Sequence, residues 1–276
     1  MLSYLSNNFL TKHPDARNNP PTWEYAQGKE KDFMAVAVDI KALLASGAHF
    51  GHKTSRWHPK MAPYIHSKRA GTHIIDLTKT VEGLDKALVF IEKEVASGKQ
   101  VLFVGTKRQA KDILKAAAED INMPFVTERW MGGMLTNVKT ISERVKRLKN
   151  LETRMAAGEL ASRYNKLEVQ RFQEEIDDLN FKYGGIKDMN GQPGVMFVVD
   201  VVAEENAVRE ARRLNIPVVA IVDTNANPDV VDYIIPANDD AIKSVQLITD
   251  YVKQAVADGV AARKAAAPAE AKKEEK

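Results

Sequence analysis

A chain of 276 residues with 44% hydrophobic and 28% charged content has the apolar residues for a sizeable core and the length for one large or two modest domains. No apolar run approaches the roughly 18 residues of a membrane-spanning helix, and the absence of cysteine excludes disulfides, a thiolate zinc site and a cysteine nucleophile. A formal net charge of +3 is too small to define a partner, so the distribution of charge carries the information.

Residues 1–33 have no hydrophobic periodicity and contain two adjacent prolines, Pro20 and Pro21. They lack the basic start and apolar centre of a signal peptide and read as a poorly ordered extension. Met34 opens a cleaner beginning, MAVAVDIKALLASG, and is a candidate initiator. The next segment, 47–76, is the most informative. It holds His49, His52, His58, His66 and His73, five of the six histidines, with Lys53, Arg56, Lys60, Lys68 and Arg69 and the aromatic residues Phe50, Trp57 and Tyr64. No aspartate or glutamate occurs between Asp39 and Asp76. Cations neutralise phosphates, and aromatic and guanidinium planes stack on unpaired bases, so the pattern points to RNA. A solvated basic loop whose Trp and Phe plug the core shows the same pattern, and both readings fit one segment. His49 and His52 stand three apart, but no cysteine exists and no carboxylate follows nearby. They are read as packing and phosphate contacts, with no metal site.

Beyond this segment, short apolar runs alternate with amphipathic stretches. Strands are expected at 72–76, 100–105, 124–127, 195–200, 217–223 and 232–236, and helices at 79–97, 107–121, 203–214 and 239–258. The strands are nearly continuous in Val, Ile and Phe, as in strands covered on both faces. Their alternation with helices predicts an α/β domain on a parallel sheet with right-handed crossovers. Asn215 suits the position after a helix end, and Pro217 the start of a strand. In VLFVGTKRQAK (101–111) a strand ends at Gly105, and Thr106 is expected to cap a helix opening with Lys107 and Arg108. A helix start with two cations attracts phosphate. The segment nevertheless matches neither GxxxxGK[ST] nor GxGxxG, and a capped helix with surface charges explains it equally.

ERWMGGMLTNVKT (128–140) places Arg129 and Trp130 before Gly132 and Gly133, which permit positive φ and close backbone approach. Thr136 or Asn137 can cap the helix that follows. This reads as a sharp elbow with backbone contact to RNA. Residues 137–183 then lack any strand signal. Val138, Ile141, Val145, Leu148, Leu151 and Met155 form one helical stripe, and Val169, Phe172, Ile176, Leu179 and Tyr183 form another, with Gly158 between. Two long helices packed along a narrow seam are expected, an antiparallel coiled-coil hairpin whose first arm extends roughly 27 Å. The first helix is basic (Lys139, Arg144, Lys146, Arg147, Lys149) and the second acidic (Glu174, Glu175, Asp177, Asp178). A solvated helix pair without a partner is the plain alternative. Asp200, Asp223 and Asp232 fall around strand ends, where α/β enzymes keep metal ligands and bases. No nucleophile–base pair, GxSxG, HExxH or Walker sequence accompanies them, and turn chemistry accounts for the residues around Asp223. Residues 259–276, rich in Ala, Lys and Glu, are expected to form a frayed or disordered tail.

The blocks AHFGHKTSRWHPKMAPYI, GTHIIDLTKT, VLFVGTKRQA, ERWMGGMLTN, GGIKDM and PVVAIVDTNANPD with DYIIPANDDAIKS follow one another in this chain. Their order and spacing resemble the bacterial small-subunit ribosomal protein S-two family over about residues 34–258. The resemblance implies a flavodoxin-like parallel sheet with helices on both faces and an inserted helical hairpin. It implies a non-enzymatic component that binds small-subunit ribosomal RNA on the solvent side, between head and body. It also implies help in recruiting the large OB-fold ribosomal protein of the same subunit, and no cofactor. The chain departs from the family pattern at His58, where Asn is more common, at Ala226, where Cys is common, at the hairpin tip (159–168) and at the start of 201–211.

The expected organisation is an N-terminal extension (1–33), an α/β domain (34–136 with 184–258), a hairpin insertion (137–183) and a tail (259–276). RNA contacts are expected from Lys53, Arg56, Trp57, Lys60, Lys68 and Arg69, joined by Lys107, Arg108, Arg129, Trp130, Asn137, Lys139 and Arg144. Neighbouring small-subunit proteins are the other expected partners, with no membrane and no small-molecule substrate. A flavodoxin-like enzyme or nucleotide-binding domain using the strand ends around Gly105, Asp200 and Asp223 is a second reading. A protein-docking module working through the hairpin alone is a third.

Overall fold

The computed structural model describes residues 38–274, with side chains placed through residue 265. The expectations for residues 1–33 and Met34 lie outside the described residues. The core is a five-stranded parallel sheet of β4 (Val101–Val104), β5 (Phe125–Val126), β6 (Val195–Val199), β7 (Val218–Val222) and β8 (Tyr233–Pro236). Its spatial order is β5-β4-β6-β7-β8, consistent with a flavodoxin-like core. The continuous apolar runs follow from burial on both faces. Phe103, Phe197, Ile221 and Ile235 point to one side, against α2 (Leu77–Ala96), α3 (Lys111–Asp120) and α8 (Ile242–Glu274). Leu102, Val104, Val198, Ala220 and Val222 belong to the other side, with Ala207, Val208 and Ala211 of α7 (Glu205–Arg213). Asn215 takes φ 55° directly after α7, the left-handed position that its short polar side chain tolerates.

The expected strand 72–76 does not join this sheet. As β3 (Thr72–Ile75) it is the centre of a separate antiparallel sheet, ordered β1-β3-β2, with β1 (Phe50–Lys53) and β2 (Ile65–Arg69). The alternating burial of β3, with His73 and Ile75 inside, is that of a strand covered on one face only. Its partners come from the basic segment, whose polar strands give little apolar signal. The β2–β3 turn is Ala70–Gly71, both at positive φ (49° and 76°), the combination a tight hairpin requires. A short α1 (Ile40–Ser46), capped by Asp39 accepting from the Lys41 amide at 2.8 Å, precedes β1. A 3-10 turn (Pro59–Tyr64) joins β1 to β2.

Three boundaries differ from the sequence expectation. α3 starts at Lys111, not 107, and Thr106 does not cap it, because its amide and hydroxyl both donate to Glu204. α8 continues to Glu274 through the residues assigned to a tail. Its Gly259 lies so close to α2 that an added Cβ would stand 2.8 Å from the Glu92 carbonyl oxygen. The region between β5 and β6 holds α4 (Val138–Ala156), a short α5 (Glu159–Arg163) in place of a simple turn at Gly158, and α6 (Lys166–Tyr183). Leu148 and Leu151 of α4 and Ile176, Leu179 and Tyr183 of α6 are buried in one apolar cluster, and Arg147 forks onto Glu175 across the pair.

α2 packs so tightly on β8 that a Cβ at Gly83 would stand 2.3 Å from the Ile234 carbonyl oxygen. Alanine there gains about 1 kcal/mol of helix propensity, but backbone cannot yield as a flexible side chain can. Gly83→Ala is expected to destabilise the protein by a net of about 1–3 kcal/mol, read as a lowered urea midpoint.

Candidate nucleic-acid interface

The antiparallel sheet and the 3-10 turn present the basic segment to solvent. Lys53, Arg56, Lys68 and Arg69 are exposed, and none of them forms an ion pair among the described residues. Trp57 is 36% exposed. One side of its ring faces the buried His73, with ring centroids 5.2 Å apart, and the Lys68 ammonium stands 5.7 Å from its centroid. Burial, reinforced by Lys68, holds His73 below the usual histidine range, so it is a neutral support for the tryptophan. Lys60 is also exposed but carries an ion pair with Asp229. His58 caps the 3-10 turn, its Nδ1 accepting from the Lys60 amide at 3.3 Å.

A second set lies along the elbow and α4. Arg129, Asn137, Lys139 and Arg144 are exposed, and Trp130 is half-buried. Asn137 precedes α4 without making a side-chain cap, and Thr136 does not cap it either: its amide and hydroxyl go to Glu210. Gly133 adopts φ 86°, as the elbow needs. The two sets border one apolar cluster, with Met61, Tyr64 and Ile65 from the first segment and Trp130, Met131 and Met134 from the second.

Beneath the first set, the strand ends carry a cluster that the sequence did not announce. Lys107 is not available to phosphate. Its ammonium lies 2.7 Å from Asp239, 2.6 Å from Asp240 and 3.3 Å from Asp200. Burial pulls its pKa down, and the hydrogen bonds to Asp239 and Asp240 outweigh that, leaving a firm cation. Asp239 is pushed up to about 7 by burial and by the like charges of Asp200 and Asp223, which together outweigh Lys107. Arg108, its neighbour, remains exposed.

His52 is tied into the same cluster, contrary to the expectation that the histidines lack acidic neighbours. Its Nδ1 stands 3.0 Å from Asp223, its Nε2 3.6 Å from Asp240, and its amide donates to the Thr224 hydroxyl at 2.9 Å. The Asp223 hydrogen bond raises its pKa against the opposing effect of burial. His52, Asp223 and Asp239 bring ligand atoms within 4.8 Å of one another, a donor set chemically suited to a divalent cation. The fit is contested from one side by Lys107, which already bonds Asp239. The nucleotide reading fares worse. The Thr106 amide, which a phosphate at this strand end would use, donates to Glu204 at 2.7 Å, and the Thr106 hydroxyl donates to the same oxygen.

Of the expected site residues, the structure therefore places Lys53, Lys68 and Arg69 on the antiparallel sheet, Arg56 and Trp57 on the β1–β2 connection beside it, and Arg129, Trp130, Asn137, Lys139 and Arg144 on the elbow and α4. It pairs Lys60 and withdraws Lys107. Glu204, Glu210, Thr224 and Asp239 were missed. Only the Asp239–Asp240 pair gave a sequence signal, and its partners are distant in the chain. Removing Lys107 leaves carboxylates without their cation. Lys107→Met is therefore expected to cost about 3 kcal/mol of stability while leaving the salt dependence of RNA binding unchanged, measured by urea unfolding and by binding titrations.

The sequence pattern of the family "Ribosomal protein S2" matches residues 43–259. The Small ribosomal subunit protein uS2 of Nocardia farcinica (strain IFM 10152) is 51% identical over 241 residues, which cover 87% of this chain and 84% of that protein. The protein of the same name from Bifidobacterium longum (strain DJO10A) is 50% identical over 233 residues, 84% of this chain and 83% of its own. That of Thermobifida fusca (strain YX) is 48% identical over 235 residues, 85% of this chain and 80% of its own. The blocks that build the basic sheet, the strand-end cluster and the elbow all fall inside the matched span, and the chain belongs to the ribosomal protein S2 family.

Proposed function

We propose that this chain is a structural, non-enzymatic constituent of the small ribosomal subunit in the cytoplasm. It binds small-subunit ribosomal RNA through the exposed basic segment carrying Lys53, Arg56, Trp57, Lys68 and Arg69, and so supports translation. The observation that carries this reading is charge segregation. Lys53, Arg56, Lys68 and Arg69 are exposed without ion pairs among the described residues, with the Lys68 ammonium over a part-exposed Trp57, while Asp200, Asp223 and Asp239 lie buried at the strand ends. Phosphates find available positive charge there, and an unstacked base finds a ring face.

Arg129, Trp130, Asn137, Lys139 and Arg144 extend the contact along the elbow and first helix of residues 137–183, which serve as an inserted coiled-coil hairpin on the α/β domain (34–136 and 184–258). Arg108 adds to it from the end of β4. Neighbouring small-subunit proteins are the protein partners, which family membership supports, and the large OB-fold ribosomal protein is the one this reading adds. No helix among the described residues is long and apolar enough to cross a membrane.

Two measurements test the face. Arg56→Glu combined with Arg69→Glu is expected to leave the circular dichroism and unfolding midpoint intact and to weaken binding to small-subunit ribosomal RNA. The slope of log K against log[salt] should shrink in magnitude by about 0.7–0.9 for each phosphate that is no longer neutralised; an unchanged slope and normal co-sedimentation with small subunits would place the RNA elsewhere. Trp57→Ala is expected to reduce affinity by about 1–3 kcal/mol by removing a stacking surface without altering the salt slope.

A further inference from the structure

Glu210 belongs to α7, outside every segment that contributes a cation, yet its carboxylate is the most heavily used acceptor near the elbow. Oε1 accepts from the Trp130 indole at 3.1 Å and the Gly133 amide at 2.8 Å. Oε2 accepts from the Leu135 amide at 3.1 Å, the Thr136 amide at 3.2 Å and the Thr136 hydroxyl at 3.1 Å. All five donors come from residues 130–136, a turn with no regular secondary structure. Convergent backbone amides of this kind form an anion-binding concavity, and here the protein fills it with its own carboxylate. Burial opposes the charge, but the Gly133, Trp130, Leu135 and Thr136 hydrogen bonds outweigh it and hold the carboxyl below the ordinary glutamate range.

We propose that Glu210 is the positioning residue of the RNA-binding elbow: it pre-forms the 130–136 turn so that Arg129, Trp130 and the start of α4 meet RNA in one fixed geometry. This rests on the reading of the elbow as an RNA contact. Glu210 is not itself a contact, since both oxygens are already engaged and a carboxylate repels phosphate. It acts by removing freedom that the turn would otherwise lose on binding. Nothing in the local sequence of the elbow encodes this, because the acceptor arrives from more than seventy positions downstream.

The test uses the full chain and in-vitro-transcribed small-subunit ribosomal RNA. Glu210→Gln keeps the shape but turns one oxygen into a donor facing other donors. It is expected to weaken RNA binding about tenfold and to speed hydrogen exchange of the Gly133, Leu135 and Thr136 amides. In an Arg129→Ala/Trp130→Ala background the same change should add less than about twofold, since both act through one element. Glu210→Asp, which keeps the charge, should recover part of the affinity. Should Glu210→Gln fold poorly, Thr136→Val, which removes a single donor, is expected to weaken binding about twofold in the same direction. A Glu210→Gln protein that unfolds more readily while its folded fraction binds RNA as wild type would overturn the proposal and leave the elbow contact standing. Wild-type affinity in the Arg129→Ala/Trp130→Ala protein would overturn the elbow contact and this proposal together, without touching the basic sheet.

Discussion

The structure turns on what fills the C-terminal edge of the parallel sheet. In an open α/β sheet this edge is the crevice where ligands bind, because strand ends, helix starts and loops converge there and leave polar groups exposed. Here Lys107 follows β4, Asp200 follows β6, Asp223 follows β7 and Asp239 follows β8. Around Lys107, one ammonium serves three carboxylates, those of Asp200, Asp239 and Asp240. Glu204 satisfies the Thr106 amide and hydroxyl at the neighbouring position. Groups that would hold a nucleotide in a relative of this architecture instead hold one another. The sheet edge is thereby taken up by the protein's own side chains, and on the proposed reading function lies in the layer built outside it.

That outward layer is attached through the same network. β1 runs over the end of β7 so closely that a side chain at Gly51 would collide with Thr224, with its Cβ 2.6 Å from the Thr224 methyl. The His52 and His58 amides donate to the side chain and carbonyl of Thr224, and the His52 ring faces Asp223. The antiparallel sheet is thus tied to the strand ends through the His52 and His58 amides and the His52 ring, while Lys53, Lys68 and Arg69 stay exposed. In a protein of small net charge, Lys53, Arg56, Lys68 and Arg69 are exposed without ion pairs among the described residues, while Asp200, Asp223 and Asp239 nearby are buried and the exposed Asp240 is paired with Lys107.

The parallel sheet was legible because its cause is local: five short runs rich in Val, Ile and Phe, covered on both faces, with amphipathic helices between most of them. The position of Asn215 after α7 was legible for the same reason, since a left-handed residue is a property of one position. β1 and β2 were not, because strands with mostly exposed polar side chains carry no apolar period, and only pairing with β3 defines them. The start of α3 and the role of Lys107 were misjudged on long-range grounds. The partners of Thr106 and Lys107 lie 98 and 132 positions away. A lysine after a strand end looks the same in sequence whether it faces phosphate or Asp239. The exposed cations of the basic segment were legible as residues, but their availability depended on which of them met an acid from elsewhere, as Lys60 does with Asp229 and Arg56, among the described residues, does not.

The same logic explains why the elbow needs outside help. Its glycines make the sharp turn sterically possible, Gly133 most clearly, but the freedom that permits a geometry also permits departure from it. The segment has no β-ladder and no cap of its own: Asn137 leaves α4 without a side-chain acceptor, and the Thr136 hydroxyl that could serve is committed to Glu210. The turn buries Met134 and Leu135 in the core, and four of its residues also donate to one carboxylate from a helix that is itself packed on the core through Ala207, Val208 and Ala211. Rigidity is therefore borrowed from the α/β body and delivered to the base of α4. α4 is held against the sheet by Ile141, Leu148 and Leu151 in the shared apolar cluster, and Glu210 adds a polar tie at its base, so the geometry of the second cationic set depends in part on an acidic residue from another helix.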